Sequence, residues 1–317
     1  MANYLVTGGA GFIGSNLVEH LLARGEAVRV LDNLSTGRRH NLDAFRERIE
    51  FIEGDIREPG DCAQAAADMD YVLHQAALPS VPRSLADPAT THAVNVTGAL
   101  NLLVAARDAK VRRFVFASSS SVYGDQAEEF KHEGLPLCPM SPYAASKAAG
   151  EHYLRAFSQC FGLETVALRY FNVFGPRQDP DSPYSAVIPL FIMALLRGEQ
   201  PVIYGDGLQA RDFTYVENVV SANVLAATGS FEARGQAYNI ACGEAIGIAE
   251  LLALIAASLD VNVKPVYREG RSGDVRTSKA RVEAASKAFG FRAGVDAKRG
   301  LHQTVAFYSA AHRGAGR

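Results

Sequence analysis

The sequence predicts an α/β fold: a doubly wound parallel sheet with a smaller C-terminal lobe. Three observations predict it. Short apolar runs alternate with helix-periodic stretches through the first half, a glycine-rich turn follows the first run directly, and polar residues recur where the runs end. Apolar strands alternating with helices indicate a parallel sheet covered on both faces. Such sheets bind ligands beyond the carboxyl ends of their strands.

Tyr4-Leu5-Val6 reads as the first strand, and 15–24 as a helix burying Leu17, Val18, Leu21 and Leu22. The second strand covers 27–31 and ends at Asp32. The third, 49–53, precedes Asp55 and Ile56, and the fourth, Tyr71-Val72-Leu73-His74, precedes Gln75. One long helix is expected over 90–109. Phe114-Val115-Phe116-Ala117 is the fifth strand, with Ser118, Ser119, Ser120 and Ser121 at its end. A helix over 143–161 and a sixth strand over 165–169 follow, the strand running into Tyr170. Gly8, Asp32, Asp55, Gln75, Ser119 and Tyr170 therefore all fall at or just after strand ends. From Gly175 the texture changes, because Pro176, Pro180, Pro183, Pro189 and Pro201 interrupt it. The expected division is a sheet domain over 1–173, to which 216–246 returns through a helix at 216–228 and a strand at 237–241. Segments 174–215 and 247–311 form the smaller lobe, and 312–317 a frayed tail.

The 317 residues, 48% of them hydrophobic, can bury a sizeable core and suggest about two domains. A net charge of −2 calls for neither nucleic acid nor an anionic membrane as partner. Cys62, Cys138, Cys160 and Cys242 are scattered, with no CxxC and no ligand spacing. They read as reduced thiols of a cytoplasmic enzyme, and no metal site is expected. The amino terminus runs straight into a strand, so no secretory signal is expected. The longest apolar run, 186–196, contains Pro189 and falls short of the ~20 residues a membrane span needs.

Gly8, Gly11 and Gly14 permit a tight turn, close backbone approach to a pyrophosphate and a helix N-terminus aimed at it. The spacing is GxxGxxG, and Asp32 follows eighteen residues after Gly14. A carboxylate there accepts the ribose hydroxyls of NAD and repels the 2′-phosphate of NADP. Asp55 and Ile56 could hold the adenine edge. Tyr143 and Lys147 are four apart and share a helix face. An ammonium beside a phenol lowers its pKa, which makes tyrosine usable as an acid or base. Among the four serines, Ser119 is the expected catalytic one; Ser120 and Ser121 either contact substrate or cap the strand.

Together these residues resemble the extended short-chain dehydrogenase/reductase family, specifically its NAD-dependent nucleotide-sugar epimerases. The likeness also rests on the segments 31–37, 74–77, 169–175, 205–207 and 211–213. Segments 77–84 and 177–180 look most like bacterial UDP-N-acetylglucosamine 4-epimerases. The resemblance implies a Rossmann-like domain holding NAD through Gly8, Gly11, Phe12, Ile13, Gly14, Asp32, Asn33, Ser35, Thr36, Gly37, Asp55, Ile56, Gln75, Ala76, Ala77, Pro79, Asn95 and Tyr170, with Tyr143 and Lys147. It implies a UDP-sugar substrate contacted by Ser80, Ser119, Ser120, Ser121, Tyr143, Asn172, Gln178, Val187, Tyr204, Arg211, Arg271, Asp274 and Ser278. Arg211 and Arg271 match the family's phosphate-binding arginines, and Val187 and Tyr204 its uracil site. Ser278 falls where galactose-restricted enzymes carry Tyr, which leaves room for an N-acetyl group at C2. Pro79 stands where N-acetyl-preferring relatives carry Gly, and it stiffens that loop. The resemblance further implies a homodimer through helices 90–109 and 143–161.

Rival readings share the fold. Dehydratases of this family place Asp-Glu after the catalytic hydroxyl, and decarboxylases a Glu; this chain has Ser120-Ser121. A 6-carbon dehydrogenase needs a reactive Cys that none of the four supplies. A UDP-glucuronate 4-epimerase stays open, since Arg83 or Arg276 could face a carboxylate. A non-catalytic nucleotide-sugar sensor is the reading from a different class, and an intact Ser119, Tyr143 and Lys147 argue against it.

Overall fold

The computed structural model describes residues 1–180, 186–270 and 276–315. Seven strands form one sheet: β1 (Asn3–Thr7), β2 (Ala27–Asp32), β3 (Glu50–Glu53), β4 (Tyr71–His74), β5 (Arg113–Ser119), β6 (Glu164–Tyr170) and β7 (Arg234–Ile240). Their order is β7-β6-β5-β4-β1-β2-β3, and every pairing is parallel. Strand order reverses beside β1, so the crevice between the carboxyl ends of β1 and β4 is the switch point where such sheets take ligands.

Side chains alternate across the sheet as strand geometry requires. On β5, Phe114 and Phe116 join the core on one face, and Val115 and Ala117 the core on the other. Helix α1 (Phe12–Ala23) packs on the Val115 side, while α2 (Ala99–Asp108) and α3 (Pro142–Phe161) pack on the Phe116 side. Helix α4 (Val216–Thr228) lies against α1 and the sheet. Helix α3 starts cleanly because the Ser141 hydroxyl accepts from Ala144 N at 3.1 Å and Pro142 occupies the first turn. It stops at Gly162, whose φ of +72° closes the last turn. Gly150 lets it approach β5: a Cβ there would stand 2.4 Å from the Phe116 ring.

The helix expected over 90–109 is three pieces: Pro88–His92, a π-helical segment Ala93–Gly98, and α2. Gly98 passes Ile56 so closely that a Cβ would lie 2.6 Å from it. The expected tail at 312 is also revised, because the last helix, Ala297–Ala315, runs through it. Its buried apolar positions Leu301, Val305 and Tyr308 all lie before 312, and residues 311–314 of the helix are exposed.

A second, four-stranded sheet is assembled from distant segments: Ile246–Gly247, Ala210–Arg211, Thr277–Ala280 and Phe130–Lys131, in that order. Arg211 pairs with Ser278, and Ala280 with Lys131. Among the described residues no helix is long and apolar enough to cross a membrane, and no cluster of His, Cys, Asp or Glu could hold a metal.

Candidate active site

The carboxyl ends of the strands open into a cavity of about 940 Å³. At its floor the chain turns after β1 through Gly8, whose φ is +67°. Gly8 N donates to Leu31 O at 2.8 Å, and Gly11 N to Gly8 O at 3.0 Å. Gly14 is dictated by contact, since a Cβ there would sit 2.1 Å from Gly8 O. Gly11 caps α1 without a side-chain hydrogen bond, and Gly11, Phe12, Ile13 and Gly14 of this helix start line the cavity. An anion fits such a helix end.

Asp32 ends β2 beside this turn and is buried. Its Oδ2 accepts from Ala10 N at 2.9 Å and its Oδ1 from Leu34 N at 2.8 Å. Burial raises its pKa, and the two N–H groups pull it back. Each carboxylate oxygen keeps lone pairs for a diol, and Gly37 lies so near that a Cβ would stand 2.9 Å from the carboxylate. Farther out, Asp55 accepts from Asn33 Nδ2 at 2.8 Å and from Arg57 through both Nε (3.0 Å) and Nη2 (2.7 Å). The Arg57 hydrogen bond is the main cause that lowers its pKa to about 2. A cradle without Cβ atoms, a capless helix end and a held carboxylate fit a dinucleotide with an unphosphorylated ribose.

At the other end of the floor stand Ser119, Tyr143 and Lys147. Lys147 Nζ donates to Ala117 O at 2.8 Å and lies 4.9 Å from the Phe116 ring centroid and 6.0 Å from that of Tyr143. Burial lowers its pKa to about 7. Burial raises that of Tyr143, and a hydrogen bond with Ser119 lowers it part of the way back. Burial is the largest cause for both groups, and Ser119 is the side chain whose hydrogen bond opposes it for Tyr143. Ser121 Oγ donates to Ser119 Oγ at 2.9 Å. Beneath them His74 is buried between Phe114 and Phe116, with Nδ1 2.7 Å from Thr7 Oγ1. Burial and the neighbouring Lys147 charge push its pKa down to about 3, which keeps it neutral.

Nearly all the residues expected for the cofactor line this one cavity: the glycine turn with Phe12 and Ile13, Asp32 to Gly37 at the positions named, Asp55, Ile56, Gln75, Ala76, Ala77, Pro79 and Tyr170. Ser80, Ser120, Asn172, Gln178, Arg211 and Ser278 line it too. Asn95 does not. It is buried behind the wall, where its Oδ1 accepts from Leu78 N at 2.8 Å and its Nδ2 donates to Ser146 Oγ at 3.0 Å. It props the Ala77–Pro79 turn. Val187 and Tyr204 also miss the wall. Val187 packs on the core as the first residue of the helix Val187–Leu196, and Tyr204 ends a strand paired with Val266–Arg268; Ala186 lines the cavity in their place. Arg276 ion-pairs with Asp206 at 2.8 Å outside the cavity, whereas Arg83 lines it. Arg271 and Asp274 lie outside the described residues.

The sequence reading missed Asn223, buried on α4, whose Nδ2 donates to Tyr170 Oη at 2.8 Å and whose Oδ1 accepts from Gln75 Nε2 at 3.0 Å. It also missed Lys131 and Met140 in the wall. Neither has periodicity around it, and only an Asn on the apolar face of the 216–228 helix could have pointed to Asn223.

The sequence profile of the NAD dependent epimerase/dehydratase family matches residues 4–241. This chain belongs to that family. The family member UDP-glucose 4-epimerase of Mycolicibacterium smegmatis is 39% identical over 309 residues, 96% of this chain and 97% of that protein. Among solved structures, the UDP-N-acetylglucosamine 4-epimerase of Methanobrevibacter ruminantium M1, in complex with UDP-N-acetylmuramic acid, superposes with a TM-score of 0.93 at 40% identity, covering 98% of this chain and 99% of that one. The UDP-glucose 4-epimerase of Thermus thermophilus, in complex with NAD, gives 0.88 at 39% identity, covering 98% and 99%. The cofactor of this NAD-dependent family is the dinucleotide that the glycine turn and Asp32 fit.

Proposed function

We propose that this epimerase-family enzyme is a UDP-hexose 4-epimerase that accepts UDP-GlcNAc and UDP-GalNAc as well as UDP-Glc and UDP-Gal. The observation that carries the reading is the meeting of Ser119, Tyr143 and Lys147 at one end of a cavity whose other end is the dinucleotide cradle. Arg211 and Ser278 stand side by side on a separate sheet in the same cavity. We assign the cofactor to 1–173 with 216–246, and the sugar nucleotide to 174–215 and 247–311.

Tyr143, as phenolate, takes the proton from the C4 hydroxyl and gives it back after the sugar has turned. Ser119 hydrogen-bonds the reacting oxygen and stabilises the phenolate. Lys147 adds positive charge beside them; acid–base help of this kind is worth ~10²–10⁴-fold. Bound NAD supplies a reversible store for one hydride, so the net reaction carries no redox change. Arg211, with Arg271 expected beside it, anchors the diphosphate, since remote binding must hold while the 4-keto sugar rotates. Ser278 leaves space where a larger side chain would exclude an N-acetyl group. Ser120 and Ser121 supply neither the acid nor the base that elimination needs. The same reading carries a cytoplasmic homodimer, checked by sedimentation.

The test is conversion of UDP-GlcNAc, UDP-Glc and UDP-GlcA by purified protein without added NAD, with products separated by chromatography. UDP-GalNAc and UDP-Gal are the expected products. UDP-Gal alone would mean that Pro79 or another wall overrides Ser278. UDP-galacturonate alone would move the assignment to the uronate branch, with Arg83 as the carboxylate partner. No product from any of the three would sink the epimerase reading.

A further inference from the structure

Behind the reacting groups runs a chain of buried polar side chains that the mechanism does not use. Ser118 Oγ donates to Glu151 Oε1 at 2.5 Å. Arg169 grips Glu151 with both arms of its fork, Nε to Oε1 at 2.9 Å and Nη2 to Oε2 at 2.6 Å. Its remaining arm, Nη1, donates to Tyr123 Oη at 2.8 Å, and Tyr123 Oη donates to Asn239 Oδ1 at 2.7 Å. Asn239 Nδ2 then donates to Lys131 O at 3.0 Å and Arg281 O at 3.1 Å. All five side chains are nine-tenths or more buried.

The placement of each member is what gives the chain meaning. Ser118 precedes Ser119. Glu151 lies one turn beyond Lys147 and two beyond Tyr143 on the same face of α3. Arg169 precedes Tyr170, and Tyr123 precedes Gly124, both of the cavity wall. Lys131 is in the rung with Ala280, two residues from Ser278, and Arg281 follows that rung. A buried ion pair is commonly no more stabilising than well-packed apolar side chains of the same volume. A fully satisfied polar network does fix one geometry, however, because any shift strands a partner in low dielectric. Reaction rate is sensitive to such shifts, and a misplacement of about 1 Å can cost roughly 10²-fold.

We propose that Ser118, Glu151, Arg169, Tyr123 and Asn239 are positioning residues, which hold the helix of Tyr143 and Lys147 and the strand end of Ser119 at a fixed separation from the small sheet of Arg211 and Ser278. The proposal rests on the epimerase reading for its rate effects but not for its spectroscopic one.

The decisive variant is Tyr123→Phe, which keeps the ring and the ion pair and removes the one oxygen joining Arg169 to Asn239. Three quantities are read: the kcat and KM for UDP-Glc, bound NAD per chain, and the ionisation midpoint of Tyr143. The midpoint comes from tyrosinate absorbance after subtraction of the matching Tyr143→Phe protein. With positioning lost, kcat falls ~10–100-fold while KM and bound NAD stay within about twofold. The Tyr143 midpoint rises, because the Ser119 hydrogen bond that lowers it is misaligned. A folded Tyr123→Phe protein with parental kcat and midpoint overturns the proposal. So does a rate loss accounted for by the fraction of chains lacking NAD, which is the signature of a merely structural role. Should Tyr123→Phe fail to fold, Ser118→Ala, which deletes only the bond to Glu151, is judged by the same readouts. A parent protein that converts no UDP-sugar ends the epimerase reading, and the midpoint alone then decides: moved supports the network, unmoved overturns it.

Discussion

Tyr143 and Lys147 stand where neither is in its ordinary charge balance. Burial raises the phenol and lowers the ammonium, and Ser119 is the side chain whose hydrogen bond works against the phenol's rise. As a base, Tyr143 works only when ionised, so kcat/KM must fall as pH falls through its pKa. Removing the hydroxyl in Ser119→Ala raises that pKa, and the acid limb of the kcat/KM profile moves to higher pH. A limb that stays in place would remove Ser119 from this role. Tyr143→Phe should lose ~10²–10⁴-fold in kcat and still bind UDP, as calorimetry would read. At Ser278 the expectation concerns size. Ser278→Tyr places a ring beside Arg211, and kcat/KM for UDP-GlcNAc should fall at least ~10-fold while UDP-Glc turnover changes little. Equal losses for both sugars would show that Ser278 does not face the C2 substituent.

The turn between β1 and α1 shows why an element can be legible in a sequence. Gly11 and Gly14 answer to contacts inside the turn itself, since a Cβ on either would sit 3.1 or 2.1 Å from Gly8 O. Gly14→Ala must therefore push the helix off the strand. Purified Gly14→Ala protein should carry well under half of the parent's NAD, read from absorbance after denaturation; full cofactor content would mean that the turn relaxes without opening. The helix interrupted at Ala93–Gly98 is the opposite case. Its sequence has ordinary helical periodicity, and the π geometry coincides with tertiary demands: Gly98 against Ile56, and Asn95 turned to the Ala77–Pro79 wall. Propensity carries no signal of either.

Across the whole molecule, Asp212 joins pieces far apart in the chain. It is fully buried beside Arg211, and accepts from Cys242 N and Gly243 N at 2.9 Å and from Ala280 N at 3.4 Å. Burial raises its pKa to about 6 against those N–H groups. It thus staples the Arg211 strand to the end of β7 and to the Ser278 strand. Asp212→Ala strands donors that each cost ~1–3 kcal/mol, so stability should drop by at least about 2 kcal/mol in denaturant titration. An unchanged midpoint would mean that water replaces the carboxylate and that the two sheets are held by other contacts.

By itself, the sequence determined the parallel sheet, strand ends within two residues of the observed Thr7, Asp32, His74, Ser119 and Tyr170, and the cradle and reacting residues at or just after them. These were legible because strand alternation, helical spacing and glycine turns are local rules, and because a parallel sheet brings all its carboxyl ends to one edge. Tertiary structure alone decided the rest. The small sheet draws Phe130–Lys131, Ala210–Arg211 and Thr277–Ala280 together from segments with no common pattern, so nothing local foretold that Lys131 would share a wall with Ser278. Asn95 was placed in the cofactor wall and stands behind it; Asn223 and the Glu151–Arg169–Tyr123 chain went unseen. The reason is the same for each: a buried polar side chain takes its meaning from partners supplied by other elements, and those partners are chosen only when the chain has packed.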